Sequence, residues 1–322
     1  MFRTPIKIVV PNYTISHEDN IFLIGSCFAE NIYRRLYALQ YQSLLNPFGI
    51  LYNPLSISKA MNAILSKKRY EINDLFQHNG LWHSYDHHGE FSNPNKEIVL
   101  EKINNSITDS HLFLEKSTVL IITLGTANAF ELINSKAVVA NCHKVPNTQF
   151  QRKRLSVNEI VENMIEWISK LSTFGDAKLT SQRKIILTVS PIRHIRDGLV
   201  ENQRSKATLL LAISELEKQL PNVFYFPSFE ILMDDLRDYR FYEKDMIHPN
   251  GVAIDYVWKK FGATFFDDKT KELNKKIQQI VNGLGHRLLH PDTEESLKFK
   301  NKLKQEMKLL EMQYSFLNFK DE

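Results

Sequence analysis

The stretch IFLIGSCFAENIYRRL, residues 21–36, joins two kinds of secondary structure at one point. It begins with a short, continuous apolar run, which is typical of a strand buried on both faces. It continues with apolar residues four positions apart, separated by charged ones: Phe28, Ile32 and Leu36. That spacing predicts an amphipathic helix. A strand therefore leads directly into a helix, and the junction Gly25-Ser26-Cys27 places a hydroxyl and a thiol at the turn.

The rest of the chain repeats this alternation of strand and helix. Strand-like runs occupy residues 21–25, 117–125, 184–191 and 222–228. Helical patterns extend from Cys27 to about residue 40 and over 95–114, 157–171 and 203–220, with another from Gly251 onward. Buried strands separated by helices predict an α/β fold, a doubly wound and mostly parallel sheet between two helical layers. Ligands bind at the carboxyl ends of the strands in such folds.

Two segments interrupt this alternation, and the chain ends in a polar tail. Residues 76–94 and 130–146 alternate polar and apolar side chains around turn signals, so they predict inserted β-hairpins. We assign 1–268 to one α/β domain that contains both insertions and 269–322 to a helical C-terminal extension. In this extension Pro291-Asp292, followed by Glu295, is typical of a capped helix start. Apolar residues then recur in steps of three and four: Phe299, Leu303, Met307, Leu310, Tyr314 and Leu317.

Composition excludes several classes of protein. The 322 residues are 43% hydrophobic and 24% charged, as in an ordinary globular chain. The net charge of +4 and pI of about 8.8 are too small to indicate a nucleic-acid partner. Only two, widely separated cysteines exclude a disulfide framework and a thiolate zinc site. Neither a membrane-spanning run nor a secretory leader is visible, so we expect a cytoplasmic protein with no membrane partner.

Ser26 has two interpretations. Serine is a preferred helix N-cap, which is the commoner role. The same position suits a nucleophile, because a helix N-terminus offers donors and a positive potential to an oxyanion. Such a serine needs a base. Asp245 and His248, three residues apart, share a face of a helical turn, so the carboxylate can orient the imidazole as in an acyl-transfer triad. An exposed polar loop is the alternative.

The thiol of Cys27 is a second candidate nucleophile or a redox-sensitive neighbour, because a helix N-terminus lowers the pKa of a thiol. Packing between helix and sheet is the commoner role of a free cysteine, so we rank Ser26 ahead of it. A histidine cluster precedes the site region, at His78, His83, His87 and His88. Adjacent residues of a strand face opposite ways, and thiolate or carboxylate partners are missing at suitable spacing. We therefore predict no metal site.

Six stretches resemble, in the same order, the GSCFA family, which is related to the SGNH/GDSL hydrolases. They are GSCFA (25–29), NPFGILYNP (46–54), TLGTANAFE (123–131), NCHKVPNTQF (141–150), SPIRH (190–194) and DMIHPNG (245–251). Together they cover roughly residues 22–256. The resemblance implies the three-layer sandwich that SGNH enzymes share with flavodoxin-like proteins.

The resemblance also implies roles for individual residues. Ser26 corresponds to the SGNH nucleophile, and His248 with Asp245 to the last SGNH block. The backbone N–H groups of Ser26 and Gly49 would form the oxyanion hole. The third SGNH block is usually Gly-x-Asn-Asp, but here Gly125 is followed by Thr126, Ala127 and Asn128. Either Asn128 or Thr126 is left to complete the hole. His143 and Arg193 follow strand-like segments and are candidate substrate-binding residues, with a turn histidine and a surface ion pair as their alternatives.

These assignments predict a serine hydrolase that cleaves an acetyl or other short acyl ester of a small molecule or carbohydrate and needs no cofactor. The alternative is a catalytically weak or inactive binding protein for an acylated or carbohydrate ligand, which the irregular third block favours. The apolar stripe of the tail is explained most simply by packing on the hydrolase body. Pairing with a second copy, as a homodimer through the C-terminal helix, stays open.

Overall fold

The computed structural model describes residues 4–176, 179, 183–286, 290 and 292–319. The strands are β1 (Ile21–Gly25), β2 (Ser43–Leu45), β3 (Phe76–His78), β4 (Leu81–His83), β5 (Val119–Leu124), β6 (Asn128–Leu132), β7 (Val138–Val139), β8 (Phe150–Arg154), β9 (Lys184–Val189) and β10 (Val223–Tyr225). The longer helices are α1 (Phe28–Ala38), α2 (Pro54–Leu65), α3 (Lys96–Lys116), α4 (Val157–Leu171), α5 (Leu199–Gln219), α6 (Gly251–Phe265), α7 (Asp268–Leu284) and α8 (Glu294–Gln313).

Five strands form the central sheet, in the order β2-β1-β5-β9-β10. Every neighbouring pair is parallel, and the longest registers join β1 to β5 and β5 to β9. This confirms the predicted parallel sheet. Taken in order of appearance within the sheet, the strands follow the flavodoxin-like arrangement 2-1-3-4-5. The chain therefore reverses direction across the sheet between β1 and β5, which is where doubly wound folds bind ligands.

Successive side chains of each strand point to opposite faces of the sheet, and they form two apolar cores, one on each face. Phe22 and Ile24 of β1 point to the face covered by α2, α3, α4 and α5. Ile21 and Leu23 point to the opposite face, which α1, α6, α7 and α8 cover. Successive strand side chains alternate between faces, so a strand covered on both sides must be apolar throughout. Burial of all five β1 residues fits that requirement.

The predicted insertions are present, and the second is larger than expected. β3 and β4 form an antiparallel hairpin whose turn, Asn79-Gly80, has positive φ at both residues. β6 and β7 form the second hairpin, which begins at Asn128 rather than Phe130. β8 pairs with the other edge of β6 to give a three-stranded antiparallel sheet in the order β7-β6-β8. We missed β8 because its sequence, FQRKR, is charged and its side chains are mostly exposed.

The C-terminal helix packs on the body of the protein. Met307, Leu310, Leu317 and Phe319 join the core beneath α1 and α6, whereas Phe299 is 40% exposed. The predicted start of this helix was wrong: its N-cap is Thr293, whose hydroxyl accepts from the Ser296 N–H, and Pro291 lies outside the described residues. Within the part of the chain that the structure describes, no helix combines the length and apolarity needed to cross a membrane.

Candidate active site

The predicted site residues follow β1, β2, β5, β7 and β9 or lie in the loop before α6, and Asn128 is the first residue of β6. At the end of β1 the backbone of Gly25 approaches β5 very closely. Gly25 has φ of +140°, and a Cβ at this position would lie 2.2 Å from the carbonyl oxygen of Thr123. Only glycine fits such a backbone and such a contact. Gly25 therefore fixes how the β1–α1 junction sits over β5.

Ser26 lies below the surface of the site. It is 1% exposed, and its Cβ would be 3.3 Å from a Cβ built on Gly125. Its backbone N–H donates to the carbonyl of Thr123 at 2.9 Å, and its hydroxyl oxygen faces the N–H of Phe28 at 3.4 Å. Ser26 is not among the residues that line the adjacent cavity. It lies one position before the N-cap, Cys27, so it is not the N-cap that we gave as its commoner role.

The oxyanion hole expected from Ser26 and Gly49 does not form from these two N–H groups. The N–H of Gly49 donates to the carbonyl of Asn46 at 2.7 Å, and the N–H of Ser26 is occupied as described above. Gly49 also packs against His88, since a Cβ built on the glycine would lie 2.3 Å from the His88 Cβ. Its φ of +73° indicates that glycine is required here for the turn.

Cys27 is half-buried, lines the cavity and sits immediately before the first turn of α1. It also packs against the core on the α1 face of the sheet, which is the commoner role that we gave for this cysteine. Within the described part of the chain the Cys27 N–H donates to no backbone carbonyl, but it lies within hydrogen-bond reach of its own thiol, at the positive end of the helix. Burial, reinforced by the nearby Glu30 carboxylate, raises the pKa of the thiol. A resting thiolate is therefore disfavoured, and the thiol needs a base to react.

Asp245 and His248 are brought together in the loop that precedes α6. The Nδ1 atom of His248 lies 2.6 Å from Oδ2 of Asp245, while the other carboxylate oxygen accepts from the backbone N–H groups of Ile247 and His248. These hydrogen bonds, those from His248 first, lower the pKa of Asp245 to about 2. The carboxylate is ionised at neutral pH and orients the imidazole. Nε2 of His248 is then left to take a proton.

A cavity of about 840 Å³ brings Cys27 and His248 into one wall. Four further residues that the sequence singled out also line it: Thr126, Asn128, His143 and Arg193. Ser26, Gly49, Gly125 and Asp245 are not part of the wall. The second inserted sheet closes one side of this cavity through Phe130 and Val139. The cavity therefore lies at the switch point between β1 and β5, where the fold predicts a ligand.

Hydrogen bonds to other protein groups hold the loop after β5, so part of this loop is not available to a substrate. The N–H of Gly125 donates to the carbonyl of Tyr52 at 2.8 Å, and the hydroxyl of Thr126 pairs with that of Ser205 at 2.9 Å. Thr126 also accepts from the N–H of Asn128 at 3.0 Å. This leaves the side chain of Asn128, in the cavity wall, as the better-placed donor of the two that we considered.

Lys206 is a residue of the site region that we did not predict. Its ammonium is fully buried and donates to the carbonyls of Gly125 and Ser190, each at 2.6 Å. The lysine thereby joins the loops that follow β5 and β9. Burial lowers its pKa to about 7. The signal in the sequence was a polar set at helical spacing on the inner face of α5: Asn202, Ser205 and Lys206.

His143 and Arg193 both line the cavity but differ in how they are held. His143 is 8% exposed, its Nε2 lies 2.8 Å from the carbonyl of Ser84, and burial lowers its pKa to about 4. It is therefore a neutral, anchored wall residue rather than a surface turn histidine. Arg193 lies over the ring of Tyr242, with 4.4 Å between the guanidinium carbon and the ring centroid. It also borders a second pocket, which Tyr242, Asp234 and Asp238 line.

Two histidines of the first insertion bond to serine hydroxyls, while Nε2 of His87 is buried with no hydrogen-bond partner among the described residues. His83 pairs with the Ser92 hydroxyl at 2.7 Å, and His87 pairs with the Ser84 hydroxyl at 2.9 Å. Across the described residues, no group of three or more histidine, cysteine or acidic side chains is arranged to hold a metal ion.

Comparisons with known proteins give a family but no named relative. The family model described as GSCFA family matches residues 20–261. A second model, described as GSCFA domain protein, C-terminal domain, matches residues 277–322. No curated protein matches the chain, and no solved structure matches it.

Proposed function

The chain belongs to the GSCFA family, and from the geometry of its site we propose that it is a hydrolase of the SGNH type that cleaves an acyl ester or thioester. The observation that supports the proposal most directly is the hydrogen-bonded His248. Its Nδ1 lies 2.6 Å from Asp245, and the same imidazole lines a cavity with the junction residue Cys27. An oriented imidazole beside a nucleophile at a helix N-terminus is the arrangement that acyl transfer requires.

Accessibility favours the thiol of Cys27 over the hydroxyl of Ser26 as the nucleophile. Cys27 lines the cavity, whereas Ser26 is 1% exposed beneath it. The N–H of the attacking residue commonly serves the oxyanion, and the N–H of Cys27 donates to no backbone carbonyl among the described residues. We therefore replace Ser26 by Cys27 in the proposed triad and keep Asp245 and His248 in their predicted roles.

The proposed reaction proceeds in two steps. Nε2 of His248 accepts the proton of Cys27 as the sulfur bonds to the acyl carbon, and the oxyanion accepts from the Cys27 N–H. Collapse of this intermediate breaks the acyl–oxygen or acyl–sulfur bond, and His248 gives its proton to the leaving alcohol or thiol. Water then attacks the thioester on Cys27 while His248 takes a water proton and returns it to the departing sulfur. The products are a carboxylic acid and an alcohol or thiol.

Turnover of nitrophenyl acetate and of an acetyl thioester tests this proposal. We expect His248→Ala to lower kcat about 10³-fold or more, because the base and the acid are lost together. His286→Ala is the matched control, because His286 is exposed at the end of α7. Equal activity in wild type and His248→Ala would overturn the proposal, since hydrolysis would then come from outside this site.

The second candidate function is a non-catalytic binding protein for an acylated or carbohydrate ligand. One observation favours it: both N–H groups first expected to bind the oxyanion are hydrogen-bonded to carbonyls. A protein of this kind would bind such ligands without turnover in the assay above, and substitution of His248 would leave the absence of turnover unchanged.

A further inference from the structure

The cavity wall is strongly cationic. Lys144, Arg152, Arg193 and Arg196 all line it. Among the side chains that the structure describes, none of the lining residues is acidic. Asp245 and Glu90 lie next to lining residues: Asp245 bonds to His248, and Glu90 lies 4.0 Å from His88. The lining therefore favours a positive potential, which solvent screens in part because Lys144, Arg152 and Arg196 are exposed.

These cations come from separate segments that converge on one space. Lys144 follows β7, Arg152 belongs to β8, and Arg193 and Arg196 follow β9. A single basic helix face would be a solvated surface, but convergence from three segments is a property of the folded site. The mild net charge of +4 for the whole chain does not account for four cations around one cavity.

Arg193 is held in a defined orientation. Its guanidinium carbon lies 4.4 Å from the ring centroid of Tyr242 and 5.2 Å from that of Tyr239, and one of its nitrogens is 3.5 Å from the Tyr239 hydroxyl. Stacking limits the rotamers of an arginine. Tyr239 and Tyr242 belong to a neighbouring pocket that Asp234 and Asp238 also line, and Arg193 borders both pockets. Arg196 is exposed and lies near enough to Cys142 for its charge to lower the pKa of that thiol, although burial has the larger, opposing effect.

We propose that the cavity binds an acyl substrate that carries an anionic group, a carboxylate or a phosphate, beside the ester or thioester bond. The anion would contact Arg193 and Arg196 while the acyl carbon lies at Cys27 and His248. Guanidinium groups bind both kinds of anion through paired hydrogen bonds. The inference rests on the proposed hydrolase for its kinetic readout, but binding of the anion is measurable without turnover.

Two nitrophenyl esters of similar length test the substrate class: the neutral butyrate and the anionic hemisuccinate. We expect kcat/KM to favour the hemisuccinate, and Arg193→Gln with Arg196→Gln to reduce that preference about tenfold, the usual effect of losing a charge-assisted hydrogen bond. Arg196→Gln is also measured alone, in case the double variant does not fold. This exposed side chain makes no hydrogen bond or ion pair within the described structure, so its loss should not unfold the protein. Arg204→Gln is the matched control, because Arg204 lies outside the wall and pairs with Glu201.

Calorimetric titration with succinate and with inorganic phosphate separates the two anions and the two proposals. We expect wild type to bind one or both anions, the double variant to bind them at least about tenfold more weakly, and the control to match wild type. Charge-dependent binding without turnover would support the cationic site and count against the hydrolase. Equal kcat/KM for both esters in wild type and double variant would overturn the anionic substrate and leave the hydrolase standing.

Discussion

Two buried histidines are expected to make the stability of this protein depend on pH in the acid range. His87 is 1% exposed, stacks on Phe48 at 4.3 Å between ring centroids and bonds to the Ser84 hydroxyl. Burial, with smaller contributions from Lys68, His143 and Lys59, lowers its pKa from 6.5 to about 3. His194 follows the same rule, with a pKa lowered to about 4 mainly by burial. These rings are neutral in the native state at neutral pH.

His87 predicts a loss of stability in acid. Between pH 6.5 and about 3 the unfolded chain holds a proton on this ring that the native ring does not, so the free energy of unfolding falls as the pH falls. The slope is about 1.4 kcal/mol per pH unit for such a group. Urea unfolding of His87→Phe at about pH 7 and pH 5 is expected to show a smaller difference than wild type.

The exposed His286 gives the control for this prediction. His286→Phe is expected to keep the wild-type pH dependence. An identical loss of stability between the two pH values in wild type and His87→Phe would contradict the assignment of this acid sensitivity to the buried ring.

At the scale of the element, the β1–α1 junction depends on close contact between two strands. Gly25 and Gly80 both have positive φ, at +140° and +76°, but only Gly25 has a neighbouring backbone in its side-chain position. An added Cβ would force β1 away from Thr123 and disturb the register that places Cys27. At Gly80 nothing lies within 4 Å of the added atom.

The two glycines therefore form a matched pair of substitutions. We expect Gly25→Ala to lower the free energy of unfolding by roughly 2–4 kcal/mol, because a backbone clash adds to the unfavourable φ. Gly80→Ala is expected to cost only about 1 kcal/mol, from the backbone conformation alone. Chemical denaturation measures both. A cost for Gly25→Ala no greater than that for Gly80→Ala would show that the contact with Thr123 is not structurally important.

Elements with a clear period were predictable, whereas short or charged ones were not. The pattern around residues 157–171 gave the bounds of α4, because its apolar residues repeat at helical spacing and Ser156 caps it. β2 has three residues and β8 is largely charged, so neither carries a strand period. Both are placed by their neighbours, β1 and β6, and that pairing is a tertiary effect that a local pattern does not contain.

For the whole molecule, the alternation of strands and helices was sufficient to predict the layered fold and the edge of the sheet where the site lies. It was not sufficient to say which of two adjacent side chains enters the cavity. Ser26 and Cys27 differ by one position, and the choice depends on the close contact of Gly25 with β5 and of Ser26 with Gly125. The set of cations that lines the cavity could not be predicted from the sequence either, because these residues come together only after the second insertion folds over the sheet.

Intact-mass analysis after treatment with a β-lactone probe tests whether Cys27 is a nucleophile that His248 activates. Such a probe acylates activated thiols and activated hydroxyls alike. We predict one adduct on wild type and on Ser26→Ala, and none on Cys27→Ala or His248→Ala. An adduct that persists in Cys27→Ala and disappears in Ser26→Ala would contradict this assignment and return the role to the serine. No adduct on folded wild type would contradict the hydrolase itself.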